Sequence, residues 1–118
     1  MNKLSEHFTD AELNCQCGCG KTVDPDLLQK LEEMRVIYGK PIAVTSGARC
    51  EEHNRKAGGK PGSLHLKGRA VDIVCTDAAS RFELVRIAYE LEFTGIGIAK
   101  TFIHIDLRPE LQSVCFLY

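Results

Sequence analysis

Apolar positions along this chain recur with two different periods, and the switches between them mark the predicted elements. From Asp24 to Gly39, the residues Leu27, Leu31, Met34 and Tyr38 return at helical spacing, as one apolar helix face requires. Asp24 is a natural cap for that helix, Pro25 suits its first turn and Gly39 ends it. Ala78, Phe82, Val85, Ala88, Tyr89 and Leu91 form a second amphipathic stripe, predicting a long helix over 77–93. Near the start, Thr9 and Glu12 stand at capping-box spacing and Phe8 and Leu13 are placed for a hydrophobic staple, so a brief helix is predicted over 8–13.

Period-two stretches lie between these helices. Residues 41–45 read as a strand that delivers Ser46-Gly47-Ala48-Arg49 to a loop. Residues 69–75 read as another, with Ala70, Asp72 and Val74 on one face and Val71 and Ile73 on the other. Residues 94–99 and 101–107 suggest a hairpin turning at Ala99-Lys100. Residues 51–57 have room for one or two helical turns, followed by the glycine-rich connection 58–62, while 114–117 either add a last strand or pack the tail. The expected architecture is a single α+β domain over 1–118, a small, mainly antiparallel sheet bearing polar residues on one face and packed by helices on the other.

Composition narrows what such a domain does. With 118 residues the chain is long enough for one working core and too short for two. A net charge of -1, with acidic and basic residues intermingled, argues against nucleic-acid binding. No apolar run approaches the roughly 20 residues that span a bilayer. The first residues lack the apolar core of a signal peptide, so cytoplasmic synthesis is the expectation. Six cysteines are many for this length. Cys15, Cys17 and Cys19 form a C-x-C-x-C run; Cys50, Cys75 and Cys115 are scattered, and Cys75 reads as a small buried hydrophobe. Reduced thiols are the default in a cytosolic protein, but a bridge from the run to Cys50 and a second, N-terminal metal both stay open, because this spacing is not the usual C-x2-C knuckle.

The candidate chemistry lies in two stretches. Ser63-Leu64-His65-Leu66-Lys67-Gly68-Arg69-Ala70-Val71-Asp72 offers an imidazole and a carboxylate, and Phe102-Ile103-His104-Ile105-Asp106 puts His104 and Asp106 on one strand face. Two imidazoles and one carboxylate, with no fourth protein ligand evident, match a catalytic zinc site that keeps one position open. Taken singly, His104 also reads as a structural histidine and His65 as a solvated loop residue. Asp72 is harder to dismiss, since a carboxylate inside an apolar strand must reach solvent or find partners.

The ordered set Ser46-Gly47-Ala48-Arg49, Glu52-His53-Asn54, Gly58-Gly59, the 63–72 stretch, Gly95-Ile96-Gly97 and residues 102–108 resembles the M15 family of zinc peptidases. The likeness is closest to its D-alanyl-D-alanine carboxypeptidase and phage endolysin branch, related in fold to the hedgehog signalling domain, and runs from about residue 8 to 108. It implies one zinc per chain held by His65, Asp72 and His104, a peptidoglycan stem peptide as substrate, and phage-type release to the cell wall. It also implies that Arg49 binds a substrate carboxylate or carbonyl oxygen. Ser63 either adds a hydrogen bond to substrate or serves as a turn residue.

One departure concerns proton transfer. Where several members of the wider family carry an acidic residue or a second histidine just before the last zinc histidine, this chain has Thr101 and Phe102. Asp106 is the replacement candidate, as the general base or as the carboxylate that orients a zinc histidine; His53 is a weaker candidate. The same gap motivates a non-catalytic, metal-containing module that binds cell-wall peptide, and the cysteines motivate a redox or structural-zinc protein as a third reading.

Overall fold

The structure, a computed structural model, describes residues 2–109 and 112–118. Its strands are β1 (Val44–Ser46), β2 (Ala70–Val74), β3 (Gly95–Ile98), β4 (Phe102–Asp106) and β5 (Val114–Leu117), joined in the order β1-β2-β4-β3-β5. All neighbouring pairs are antiparallel except β3 and β5, which run parallel, so the sheet is mixed. The helices are α1 (Asp10–Leu13), α2 (Pro25–Tyr38), α3 (Glu51–Lys56) and α4 (Ala78–Glu90), with a 3-10 turn at Leu64–Lys67. Among the described residues no helix is long and apolar enough to cross a membrane.

Local chemistry explains most of the boundaries. Thr9 and Glu12 close the capping box of α1, and Phe8 and Leu13 are both buried beside it. Asp24 accepts a hydrogen bond from the Asp26 amide at the start of α2, Pro25 occupies its first turn, and Gly39 ends it with a φ of 72°. Leu27, Leu31 and Met34 then face the core and Tyr38 is half-buried. Arg69 ties this helix start to the sheet: its Nη1 donates to Asp24 Oδ2 at 3.0 Å and its Nε to the Leu107 carbonyl at 2.8 Å.

The sheet separates two environments. Val71, Ile73, Ile103 and Ile105 point into the apolar core with α2 and α4, whereas Asp72, His104 and Asp106 project from the opposite face. The central register sets Asp72 opposite His104 and Ala70 opposite Asp106; on the other side of β4, Gly97 faces His104 and Gly95 faces Asp106.

Two sequence expectations need correction. Phe82 and Tyr89, placed on the inner stripe of the second helix, are 75% and 77% exposed, and the buried face of α4 is Leu84, Ile87 and Ala88. The helix carries apolar residues on two stripes, and only docking against α2 and the sheet chooses between them. The first strand is also displaced, from 41–45 to Val44–Ser46, because its ladder starts where the Ala43 carbonyl meets the Val74 amide and is irregular between Val44 and Ser46. The stretch 114–117 does add a strand, parallel to β3.

Just past β1, Gly47 lies against the backbone of Leu13, whose carbonyl accepts the Ala48 amide at 2.8 Å. A Cβ at Gly47 would overlap that carbonyl, and backbone cannot swing aside as a flexible side chain can. Gly47→Ala should therefore lower the unfolding free energy by about 1–3 kcal/mol, the usual cost of overpacking. Urea denaturation reads this as a lower midpoint at constant slope; an unchanged midpoint would refute the contact.

Candidate metal centre

His65 is set by the turn that carries it. Ser63 begins the 3-10 turn, its hydroxyl accepting the His65 amide at 3.2 Å, and Gly68 ends it with a φ of 70°. The buried imidazole places Nδ1 2.7 Å from the Gly47 carbonyl. A carbonyl only accepts, so Nδ1 carries the proton and Nε2 is the inward atom, 3.3 Å from Asp72 Oδ1.

His104 is arranged in the same sense with its nitrogens exchanged. Its Nε2 meets Asp106 Oδ2 at 2.7 Å, and its Nδ1 lies 3.1 Å from Asp72 Oδ1. Each imidazole thus has one nitrogen held by an outer acceptor and the other aimed at the same carboxylate oxygen. His65, Asp72 and His104 each offer a ligand atom within 4.8 Å of the others, and all three are buried. Donors about 2 Å from a common zinc stand roughly 3.3 Å apart in a tetrahedral arrangement, so this nitrogen and oxygen set fits a borderline divalent ion.

Behind His104, Asp106 is fully buried. Arg108 donates to both its oxygens, Nε to Oδ1 at 3.0 Å and Nη2 to Oδ2 at 2.7 Å. Room for this carboxylate depends on Gly95, where any Cβ would overlap it. Gly97 similarly leaves space for the rings of Phe116 and Tyr118. Phe116 packs against His104 with ring centroids 5.6 Å apart.

Arg49 closes the other side. Its Nε donates to Ser46 Oγ at 3.0 Å, Nη1 to Asn54 Oδ1 at 3.1 Å, and Nη2 lies 3.6 Å from Asp72 Oδ2. Asn54 is itself buried and donates to the Lys60 carbonyl at 2.9 Å, so the guanidinium is steered towards the three-residue group. His53 lies on α3 outside that group, and Ser63 serves as the cap of the 3-10 turn.

Sequence reasoning brought His65, Asp72, His104, Asp106 and Arg49 forward, and the fold gathers all five. It gave no role to Ser46, Asn54, Arg108 or Phe116. Ser46 and Asn54 stand within five residues of Arg49, and Arg108 two after Asp106, so short-range spacing held a signal for them. Phe116 had none, because its position depends on β5 joining the sheet.

Burial pushes the Asp72 carboxyl up, but the His104 and His65 imidazoles beside it outweigh that and bring it down to about 2. Burial likewise disfavours charge on His104, yet its contacts with Asp106 and Asp72 raise its pKa overall. Asp106 is pushed up by burial and held below the usual carboxylate range by His104 and Arg108. The signs follow from linkage. A depressed Asp72 contributes stability above its unfolded pKa of about 3.9 and loses it as pH falls towards 2. A raised His104 contributes fully below about 6.5 and loses its contribution as pH rises through the higher folded value. In chelator, stability supplied by this cluster should therefore be greatest between about pH 4 and 6.5. The acid limb should carry on the order of 2 kcal/mol from Asp72 and be shallower in Asp72→Asn; equal slopes in urea melts across pH would refute the pairing.

No curated protein matches the chain. The sequence family described as Peptidase M15 matches residues 6–106, a span that contains Arg49, His65, Asp72, His104 and Asp106. That match covers most of the chain, and the protein belongs to the peptidase M15 family, a family of metallopeptidases.

Proposed function

We propose that the protein is a zinc-dependent hydrolase of a peptide bond in the peptidoglycan stem, acting as a D-Ala-D-Ala carboxypeptidase or as an endopeptidase in the manner of an endolysin. The observation that carries this reading is the pair of imidazoles whose outer nitrogens are held by Gly47 and Asp106 while their inner nitrogens converge on Asp72. Family membership supplies the peptidase class. His65, Asp72 and His104 would hold the zinc, whose Lewis acidity would activate water and polarise the scissile carbonyl at neutral pH.

The chain's own groups have separate tasks. Arg49, fixed by Ser46 and Asn54, offers a planar fork of donors to a substrate oxygen, either the developing oxyanion or a terminal carboxylate. Asp106 faces the outer nitrogen of His104 and has both oxygens engaged by Arg108, so we assign it to orienting His104 in place of carrying a proton. Phe116 packs beside the His104 ring, tilted 53° to it with centroids 5.6 Å apart.

Purified cell wall incubated with the zinc-loaded protein should release free D-Ala or stem fragments with new amino termini. Chelation should abolish release and added zinc restore it. Stem-peptide binding without any hydrolysis would replace this reading with the non-catalytic module. Arg49→Ala should lower kcat/KM by about 10²–10³-fold; a fall in kcat identifies an oxyanion contact, and a rise in KM alone identifies a grip on the substrate carboxylate. Asp106→Asn should weaken zinc binding about 10–100-fold and regain most turnover at saturating zinc. Turnover that stays lost at saturating zinc would return Asp106 to the role of general base.

A further inference from the structure

Cys15, Cys17, Cys19 and Cys50 have no part in the chemistry above, yet the fold brings them to one point. Each offers a sulfur, and the four sulfurs lie within 4.8 Å of one another. Cys15 Sγ is 3.4 Å from Cys17 Sγ and 3.8 Å from Cys50 Sγ, and Cys17 Sγ is 3.6 Å from Cys50 Sγ. We infer that these four cysteines form a second metal centre, a tetrathiolate site for a structural zinc that fastens the N-terminal loop to the segment bearing Arg49.

The distances suit that assignment. Four sulfurs about 2.3 Å from a tetrahedral zinc stand about 3.8 Å from each other. A disulfide instead brings one pair to about 2.05 Å and leaves the others out, whereas here three separations are nearly equal. The convergence is also one that the local sequence does not produce by default. Alternate residues of an extended chain are about 6.6 Å apart, too far for three cysteines of a C-x-C-x-C run to share an ion. The loop contracts because Gly18 and Gly20 take φ values of 84° and 90°, while the Cys15 amide bonds the Lys21 carbonyl at 2.8 Å and the Gly18 amide bonds that of Cys15 at 3.2 Å. Cys50 then enters from a different part of the chain.

Backbone amides are directed at two of the sulfurs. The Cys50 amide points at Cys15 Sγ, and the His53 amide points at Cys50 Sγ at the start of α3, each at 3.4 Å. Thiolate is a soft ligand that selects zinc among the common divalent ions, and four protein ligands leave no open position, so the centre is structural. Loading displaces the thiol protons to solvent. Cys17 and Cys19 are exposed, so an ion reaches the site from solvent without unfolding of the core.

Its place in the fold gives it a consequence. Cys50 directly follows Arg49 and begins the helix whose Asn54 holds the Arg49 guanidinium. At the end of α1, just before the cysteine loop, the Leu13 carbonyl accepts the Ala48 amide. The four cysteines are positioning residues that hold the Arg49 segment through the backbone without touching substrate.

Metal counting separates the two centres. Protein purified under reducing conditions with zinc should hold about two ions per chain, and His65→Ala/His104→Ala should retain about one while losing hydrolysis. Cys17→Ser/Cys19→Ser should likewise retain about one. Because the cysteine variant risks misfolding, the deciding measurement is cobalt substitution in the wild type and in His65→Ala/His104→Ala. Both should show the near-ultraviolet sulfur-to-cobalt charge-transfer band and the visible bands of a tetrahedral thiolate site. A bound ion that is lost entirely in His65→Ala/His104→Ala, cobalt bound without the charge-transfer band, or a disulfide among these cysteines in the freshly purified protein would overturn the inference. None of those results bears on peptide hydrolysis at the histidine centre.

Discussion

The pairing of β2 with β4 in the register that sets Asp72 opposite His104 is the constraint on which the rest of the centre depends. A slip of β2 by one residue would turn Asp72 into the apolar core and bring Val71 to the site face beside His104. Holding a carboxylate there is costly unless donors surround it, and Asp72 has His104 and His65 at hydrogen-bonding range with the Arg49 guanidinium beyond them. The polar cluster and the hydrophobic core are therefore two faces of one register. The isoleucines and valines on the core face lock the ladder that assembles the site.

Around this pairing stands a layer of groups that bind no substrate in the proposed reaction. The Gly47 carbonyl and the Asp106 carboxylate fix which nitrogen of each imidazole points inward, and that choice decides whether the two rings can share an ion. Gly95 and Gly97 are small for a specific reason: each faces β4 where a larger residue would strike Asp106 or the aromatic side chains of the β5 end. Arg108 offsets the burial of Asp106 with two charge-assisted hydrogen bonds, leaving that carboxylate little freedom to leave His104.

The two proposed metal centres divide the work by ligand chemistry. Nitrogen and oxygen donors, three in number, suit an ion that keeps a position for substrate chemistry; four sulfurs suit one that only holds backbone. Between them lies the stretch from Ser46 to Asn54, which contributes the Gly47 carbonyl to His65, the Arg49 guanidinium to the site and Cys50 to the sulfur cluster. A short segment with so many obligations has little scope to move independently, consistent with Arg49 acting from a fixed position.

Much of this protein was legible in its sequence, and the boundary falls where interactions stop being local. Capping residues announced the starts of α1 and α2, Gly39 announced the end of α2, and period-two patterning placed His104 and Asp106 on one strand face, because each depends on neighbours a few residues apart. Ordered motifs were enough to name His65, Asp72, His104 and Arg49 together. Tertiary structure alone decided which stripe of α4 is buried, since Phe82 and Tyr89 satisfy helical periodicity as well as the residues that face inward. It also decided that β5 joins parallel to β3, and that Asp106 engages Arg108 and the outer nitrogen of His104. The meeting of Cys50 with the C-x-C-x-C run was equally hidden, for it links residues 35 apart through a loop whose left-handed glycines compress an otherwise extended spacing. Sequence alone determined the donor types and the local elements; the distances that turn donors into a centre came from long-range register, which no local pattern encodes.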